Sequence, residues 1–225
     1  MGNIIQSMLM YKSYKGENEI KMKINKRKIQ AAETKKRLYD NAKRLFLEYG
    51  VDNVSVDSIA KAAGVAKGSF YVHFESKDTL ASILLTDYVN DVDSEYKIFL
   101  DSKFNKETAS NLLILMAGKI AEVIEDKIGY EKMKTLYKSH ITKSIATDYS
   151  ISYDRGLYKM FSGILERGIC QGEFRSDIPV DTLANHFILA MRGITFEWCI
   201  RYPDFNLKEQ FLTHFEILLN GIKKQ

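Results

Sequence analysis

Apolar side chains recur every three or four residues through most of the second half of the chain, which is the spacing of one face of an α-helix. Only 2 of the 225 residues are proline and 13 are glycine, so the chain lacks the frequent turns of an all-β protein. The recurring stripes are Leu112-Met116-Ile120-Val123, Met133-Tyr137, Leu157-Phe161-Ile164-Leu165, Leu183-Phe187-Met191-Ile194-Trp198 and Phe211-Phe215-Leu218-Ile222. The sequence therefore predicts an all-α fold in which residues 93–225 form a helical bundle.

Two cysteines, Cys170 and Cys199, are too few for a disulfide framework, so we expect a cytoplasmic protein. No apolar run approaches the ~18 residues that cross a bilayer, and we expect no membrane partner. Residues 1–25 are expected to form a weakly structured extension. Met22 opens a segment typical of a protein start, and we hypothesise that the native chain begins there.

Positive charge is concentrated near the amino terminus. Residues 1–80 carry 15 Lys and Arg against 9 Asp and Glu, whereas residues 81–225 carry 18 against 20. The excess lies in the runs Lys26-Arg27-Lys28, Lys35-Lys36-Arg37 and Lys43-Arg44. Such runs are typical either of a solvated helix face or of a surface that binds phosphates, and charge alone leaves both interpretations open.

One longer basic helix is predicted to precede two short helices. Its apolar stripe is Leu38-Ala42-Leu45-Phe46-Tyr49, and Gly50 is expected to end it in the left-handed conformation. Ser55 is expected to cap a second helix, Val56–Ala63, and Gly64 separates that helix from a third, Ala66–Phe74. This arrangement matches a helix-turn-helix unit, whose second short helix enters the major groove of DNA.

The predicted third helix has the composition that a groove-facing helix needs. Phe70 and Phe74 are expected to anchor it inward. Its outward residues are expected to be Lys67, Ser69, Tyr71 and His73. They supply a cation and three further donors with little acidic competition, and donors suit phosphate oxygens and many base edges. Ser76 is expected to cap a fourth helix.

The ordered combination of these elements resembles the DNA-binding domain of the tetracycline-repressor (TetR) family. The similar stretch reads SVDSIAKAAGVAKGSFYVHFESKDTL over residues 55–80, and the resemblance extends from Leu38 to Tyr88. It implies a three-helix DNA-binding head over residues 32–92, joined by the fourth helix to the bundle. The family's DNA contacts map onto Ser55, Lys67, Gly68, Ser69, Tyr71, His73 and Lys77.

These carried-over roles have alternatives. Tyr71 could pack on the helix scaffold, His73 could be a structural hydrogen-bonder, and Ser55 is a helix cap under either interpretation. The sequence also departs from the family pattern at Val51, Ala66 and Val72, so the base preference stays open.

For residues 93–225 the resemblance implies a domain that dimerises and binds a small molecule. We expect the dimer face on helices at about 150–170 and 180–201, where small residues permit close approach. Candidates for the walls of an apolar pocket are Met116, Tyr137, Tyr158, Phe161, Phe187, Met191 and Trp198. Ordinary core packing is the alternative role for each of them. The expected effector is apolar or aromatic.

Signatures of catalysis and metal binding are missing from the sequence. No phosphate cradle, nucleophile elbow or zinc-protease helix is present, and the four His residues are widely spaced. We therefore expect no catalytic residue, no metal site and no cofactor.

The sequence as a whole predicts a homodimeric transcription regulator that represses from a near-palindromic operator and is released by a small-molecule inducer. The two reading heads are expected about 34–36 Å apart, which is one turn of DNA. Two alternatives stay open: an activator or partner-bound regulator with the same head, and a helical interaction module whose head no longer binds DNA.

Overall fold

The computed structural model describes residues 2–143 and 145–224, and the side chains of residues 25–143 and 145–224. The helices are α1 (Gly2–Tyr49), α2 (Val56–Ala62), α3 (Lys67–His73), α4 (Lys77–Lys103), α5 (Ala109–Glu122), α6 (Tyr130–Thr142), α7 (Asp148–Ile151), α8 (Gly156–Cys170), α9 (Val180–Arg201) and α10 (Leu207–Ile222). A π-helical segment, Val123–Ile128, follows α5. Within the described ranges there is no β-strand, and the predicted all-α fold is confirmed.

The chain divides into two units, residues 1–84 and 85–225. This division and the predicted boundary after residue 92 both lie within α4, whose apolar stripe is shared between two cores, and the predicted boundary stays a prediction. Leu80 and Leu84 pack with the first core, whereas Tyr88 and Val92 pack with the second. We call residues 1–84 the head and residues 85–225 the bundle.

Helix α1 includes the segment for which a weakly structured extension was expected. The helix runs without a break from Gly2, whereas a weakly structured extension would not be helical. The expected extension, residues 1–25, lies almost wholly outside the residues whose side chains are described. Its boundary and the hypothesised start at Met22 therefore stay predictions.

The core of the head is made by α1, α2, α3 and the first turn of α4. Its buried residues are Leu38, Ala42, Leu45, Val54, Ile59, Ala63, Phe70, Phe74 and Leu80. The predicted stripe on the first helix is thus confirmed for its three innermost members. Tyr49, the last residue of that stripe, is instead 53% exposed.

The bundle core is built from the five predicted stripes, which lie on α5, α6, α8, α9 and α10. An aromatic cluster occupies its centre. Phe161, Phe187 and Phe215 are buried there, with ring centroids 5.2–6.0 Å apart. Burial of such large side chains is the main favourable contribution to the stability of a domain of this kind.

A buried ion pair lies where the structure differs from one predicted helix. The expected helix at 150–170 is divided, because α7 ends at Ile151 and α8 begins only at Gly156. Arg155, at the start of α8, forms a two-pronged ion pair with the buried carboxylate of Asp93 at 2.7–3.0 Å. A Cβ on Gly156 would lie 3.3 Å from that carboxylate. A side chain at position 156 would therefore crowd the ion pair.

The segment Gly168–Phe174 connects α5, α8 and α10. Phe174 is buried and lies so close to Gly168 that no Cβ fits at that glycine. The Glu173 carboxylate accepts hydrogen bonds from the backbone N–H groups of Ala109 and Ser110, at 2.9 and 3.0 Å. It thereby satisfies N–H groups that the first turn of α5 leaves without helical partners.

Candidate nucleic-acid interface

The first short helix of the head, α2, begins with a reciprocal cap. The Ser55 hydroxyl accepts from the Ser58 backbone N–H, and the Ser58 hydroxyl accepts from the Ser55 backbone N–H, each at 3.1 Å. This confirms the predicted cap at Ser55. Because the Ser55 side chain is already used by the fold and is also exposed, its phosphate-binding role is an additional one that stays a prediction.

The turn between α2 and α3 depends on a glycine in the left-handed conformation. Gly64 has φ +67°, and the Val65 backbone N–H donates to the Ala60 carbonyl at 3.0 Å. A residue with a Cβ would be strained at this φ. The turn therefore fixes the direction in which α3 leaves α2.

Helix α3 is held by two phenylalanines. Phe70 is completely buried and Phe74 is 4% exposed, with their ring centroids 5.6 Å apart. The predicted inward anchors are thus confirmed. The Tyr71 ring meets Phe70 edge-on at 5.4 Å but remains 53% exposed, so it combines a scaffold contact with an outward surface.

The outer surface of α3 carries the remaining predicted residues. Lys67, Gly68 and Tyr71 are exposed, and Ser69 and His73 are partly exposed. Nothing lies within 4 Å of a Cβ built on Gly68, although that residue is inside a helix. The fold of this chain therefore does not itself require a glycine at this position.

Helix α3 has fewer local stabilising interactions than α2. Ala66, its N-cap residue, makes no side-chain hydrogen bond to the helix, as the sequence predicts. Val72, beside the predicted contact residues, is 78% exposed. The helix is thus positioned by the buried phenyl rings rather than by its own local interactions.

Lys67 has an acidic partner, which corrects the expectation of little acidic competition on this face. Its ammonium donates to the Asp57 carboxylate at 2.7 Å. This hydrogen bond raises the pKa of Lys67, so the side chain stays charged. Asp57 lies ten residues away on α2, and no helical spacing rule connects the two positions. Sequence reasoning therefore missed it.

Lys77 is held at the start of α4. Its ammonium donates to the Val51 carbonyl at 2.7 Å, which links α4 to the loop after α1. The Ser76 hydroxyl accepts from the Thr79 backbone N–H at 3.0 Å, so the predicted cap at Ser76 is confirmed. Lys77 is partly exposed. Its hydrogen-bond partner, the Val51 carbonyl, is uncharged. No side chain in this link carries a negative charge.

The basic runs of α1 are on the surface. Between residues 25 and 37, the exposed basic residues are Lys26, Arg27, Lys28, Lys35, Lys36 and Arg37. Lys35 lies 5.7 Å from the centre of the Phe74 ring, at the end of α3. The head therefore has a positively charged helix beside its helix-turn-helix unit, as binding to an anionic duplex requires.

The predicted pocket residues of the bundle are mostly core. Met116, Phe161, Phe187, Met191 and Trp198 are buried. Tyr158 instead donates from its hydroxyl to Asp181, and the Tyr137 hydroxyl donates to the Arg192 carbonyl at 2.8 Å. Their role as ligand contacts stays a prediction.

One surface groove of the bundle lies between α6 and α9. Its volume is about 300 Å³, and its lining residues are Lys134, Tyr137, Lys138, Ile141, Thr142, Phe196, Cys199 and Ile200. Tyr137 is the one predicted pocket residue on its wall. This groove is therefore a different place from the aromatic centre of the bundle.

Among the described residues, no group of three or more His, Cys, Asp or Glu side chains could hold a metal ion. No described helix is both long enough and apolar enough to cross a membrane.

Comparison with known proteins identifies the head. The model for bacterial regulatory proteins of the tetR family matches residues 38–82, which contain α2, α3 and the outer surface described above. The transcriptional repressor KstR2 of Rhodococcus jostii is 26% identical over 188 residues, covering 82% of this chain and 89% of that protein.

Solved structures share the fold over more than four-fifths of this chain. FadR of Thermus thermophilus, a TetR-family repressor solved with lauroyl-CoA, has a TM-score of 0.67 and 18% identity, covering 83% of this chain and 94% of that one. FadR of Bacillus subtilis, solved with stearoyl-CoA, has a TM-score of 0.63 and 21% identity, covering 83% and 98%. At these identities the likeness concerns the fold alone.

Gly68→Ala provides a test of whether an external partner approaches the backbone of α3. Because the new methyl group meets no atom of this chain, we expect the head to keep its stability or to gain up to about 1 kcal/mol from better helix propensity. Binding to a duplex should nevertheless weaken. Thermal melting and fluorescence anisotropy with labelled DNA measure the two effects. Loss of stability, or unchanged affinity, would contradict the expectation.

Proposed function

Since this chain belongs to the tetR family of bacterial regulatory proteins, we propose that it is a homodimeric repressor that binds a near-palindromic operator and is released by a small molecule. The observation that carries this proposal is the outer surface of α3. Phe70 anchors the helix from behind, while Lys67, Tyr71 and the bare backbone at Gly68 face outward. The operator would be met in the cytoplasm.

The residues of this surface support two kinds of DNA contact, to phosphates and to bases. Lys67, Lys77 and the basic residues of α1 would neutralise phosphates, which supplies affinity without reading sequence. Ser69, Tyr71 and His73 would contribute hydrogen bonds in the groove, and Ser55 would bond a phosphate at the start of α2. The operator sequence would follow from these contacts.

The face of α9 supports a dimer. Leu189, Phe196 and Ile200 recur at helical spacing along this helix and are 40–61% exposed. A Cβ added to Gly193, on the same face, would meet nothing within 4 Å, and the same holds for Gly163 on α8. Apolar residues around a glycine, which has no side chain, suit close packing of two helices across a two-fold axis.

The aromatic centre of the bundle supports an effector with a large apolar part. Phe161, Phe187 and Met191 pack closely there, so a ligand among them must displace existing contacts. It would then shift the dimer toward the form with which it packs better, by its difference in affinity for the two forms. Helix α4 spans residues of both units and would carry this change to the head.

The direct test of DNA binding is Tyr71→Ala with Tyr49→Ala as its matched control. Both side chains are 53% exposed and both belong to the head, but only Tyr71 lies on α3. In a gel shift with DNA from upstream of the protein's own gene, Tyr71→Ala should weaken binding roughly ten- to hundredfold. Tyr49→Ala should retain wild-type affinity. Equal effects of the two changes would contradict the proposal.

The proposed dimer face is tested by the double change Leu189→Arg and Ile200→Arg. Two buried charges at a self-complementary contact should separate the protomers, because desolvation of each guanidinium is costly. Sedimentation velocity should then show a monomer, and operator affinity should fall. Ile98→Arg, at a side chain 72% exposed on α4, is the control and should leave the dimer intact. A double variant that remains dimeric would place the interface elsewhere.

The proposed effector class is tested with lauroyl-CoA and stearoyl-CoA, the molecules named with the two FadR structures. Either should lower the anisotropy of a labelled operator complex, whereas coenzyme A without an acyl chain should not. Release by coenzyme A alone would show that the apolar part is not what is recognised. No release by any of the three would exclude acyl thioesters as effectors.

A further inference from the structure

Lys67, at the first position of α3, does not face outward as an unpaired cation. Its ammonium is 2.7 Å from the carboxylate of Asp57 in the first turn of α2. Both side chains are more than half exposed, at 53% and 65%. The pair therefore lies on the surface that we propose to meet DNA, and water reaches both partners.

We propose that Asp57 competes with DNA for Lys67, and that this competition lowers the affinity of the head for any duplex. The inference rests on the proposed function. In the unbound protein Asp57 holds the ammonium, and a phosphate or base edge must displace it. The displaced carboxylate then loses its cationic partner, which is the cost of the exchange.

The competition is effective because the pair is exposed. An ion pair in water contributes little to folding, so breaking it does not disturb the head. After exchange, however, Asp57 has lost its cationic partner and takes up a cation from solution in its place. That cation uptake offsets part of the counterion release that drives binding to DNA.

Lys77 shows the contrast within the same head. Its ammonium donates to the neutral carbonyl of Val51, so no anionic side chain is left when it turns to a phosphate. Asp57 therefore affects one of the two lysines selectively. A head weakened in this way would be easier to release, since allosteric coupling supplies only about 1–3 kcal/mol.

The experiment measures binding by fluorescence anisotropy over a series of KCl concentrations. The probes are a labelled duplex from upstream of the protein's own gene and an unrelated duplex of the same length. The full-length variants are Asp57→Asn, Lys67→Gln and the two combined. Asp101→Asn is the matched control, because Asp101 forms a similarly exposed pair with Lys97 on α4 and its removal changes the net charge equally.

Asp57→Asn should tighten binding to both duplexes by two- to about fivefold, the upper range for an exposed pair. The slope of log K against log salt should become steeper by up to about 0.9, the value for one phosphate contact. Asp101→Asn should change neither quantity. With Lys67 already replaced by Gln, Asp57→Asn should have no effect, because the competition acts through that lysine.

Several results would overturn the proposal. A gain that persists with Lys67→Gln would mean that Asp57 repels DNA directly. Weaker binding by Asp57→Asn, with a lower melting temperature, would mean that the pair fastens α2 to α3. Equal affinity of Asp57→Asn and wild type would reject the competition while leaving the proposed function intact. If wild type binds neither duplex, both proposals fail together.

Discussion

The burial of Phe70 and Phe74 is the interaction on which the candidate interface depends. A helix of seven residues is too short to be stable in water by itself, because its first turn costs more conformational entropy than one hydrogen bond returns. The two rings enter a core already formed by α1 and α2, and that core fixes both the position and the rotation of α3. Because the buried rings fix this rotation, Lys67 and Tyr71 lie on the outer surface of α3.

Helix α3 is locally less well stabilised than the elements around it. It has no side-chain cap at Ala66, a glycine at position 68 and an exposed valine at position 72. The neighbouring elements carry the stabilising contacts, with the Ser55–Ser58 cap on α2 and the Lys77 bond to the Val51 carbonyl. Conflicts between local preference and structure tend to occur at functional sites, and here they concentrate on the helix proposed to read DNA.

Features that depend on a few neighbouring residues could be predicted from the sequence. The helix caps at Ser55 and Ser76 and the left-handed glycine at position 50 depend on residues within one turn, and the structure has all of them. The five stripes of the bundle depend on helical periodicity and were equally accessible. The roles of Phe70 and Phe74 followed from the same spacing.

Contacts between residues far apart in the chain could not be predicted from the sequence. Asp57 meets Lys67 only because the turn at Gly64 folds α3 back across α2, so the acidic partner was missed. Asp93 and Arg155 are 62 residues apart, and their ion pair lies at the start of α8. Periodicity also could not separate pocket walls from core, because an apolar side chain such as Phe187 fits both.

Amide hydrogen exchange, with and without duplex DNA from upstream of the protein's own gene, is the most direct measurement of whether this surface binds DNA. We expect added DNA to slow exchange in peptides that cover residues 55–77. A duplex in excess that slows exchange nowhere in these residues, or slows it only within residues 105–225, would contradict it.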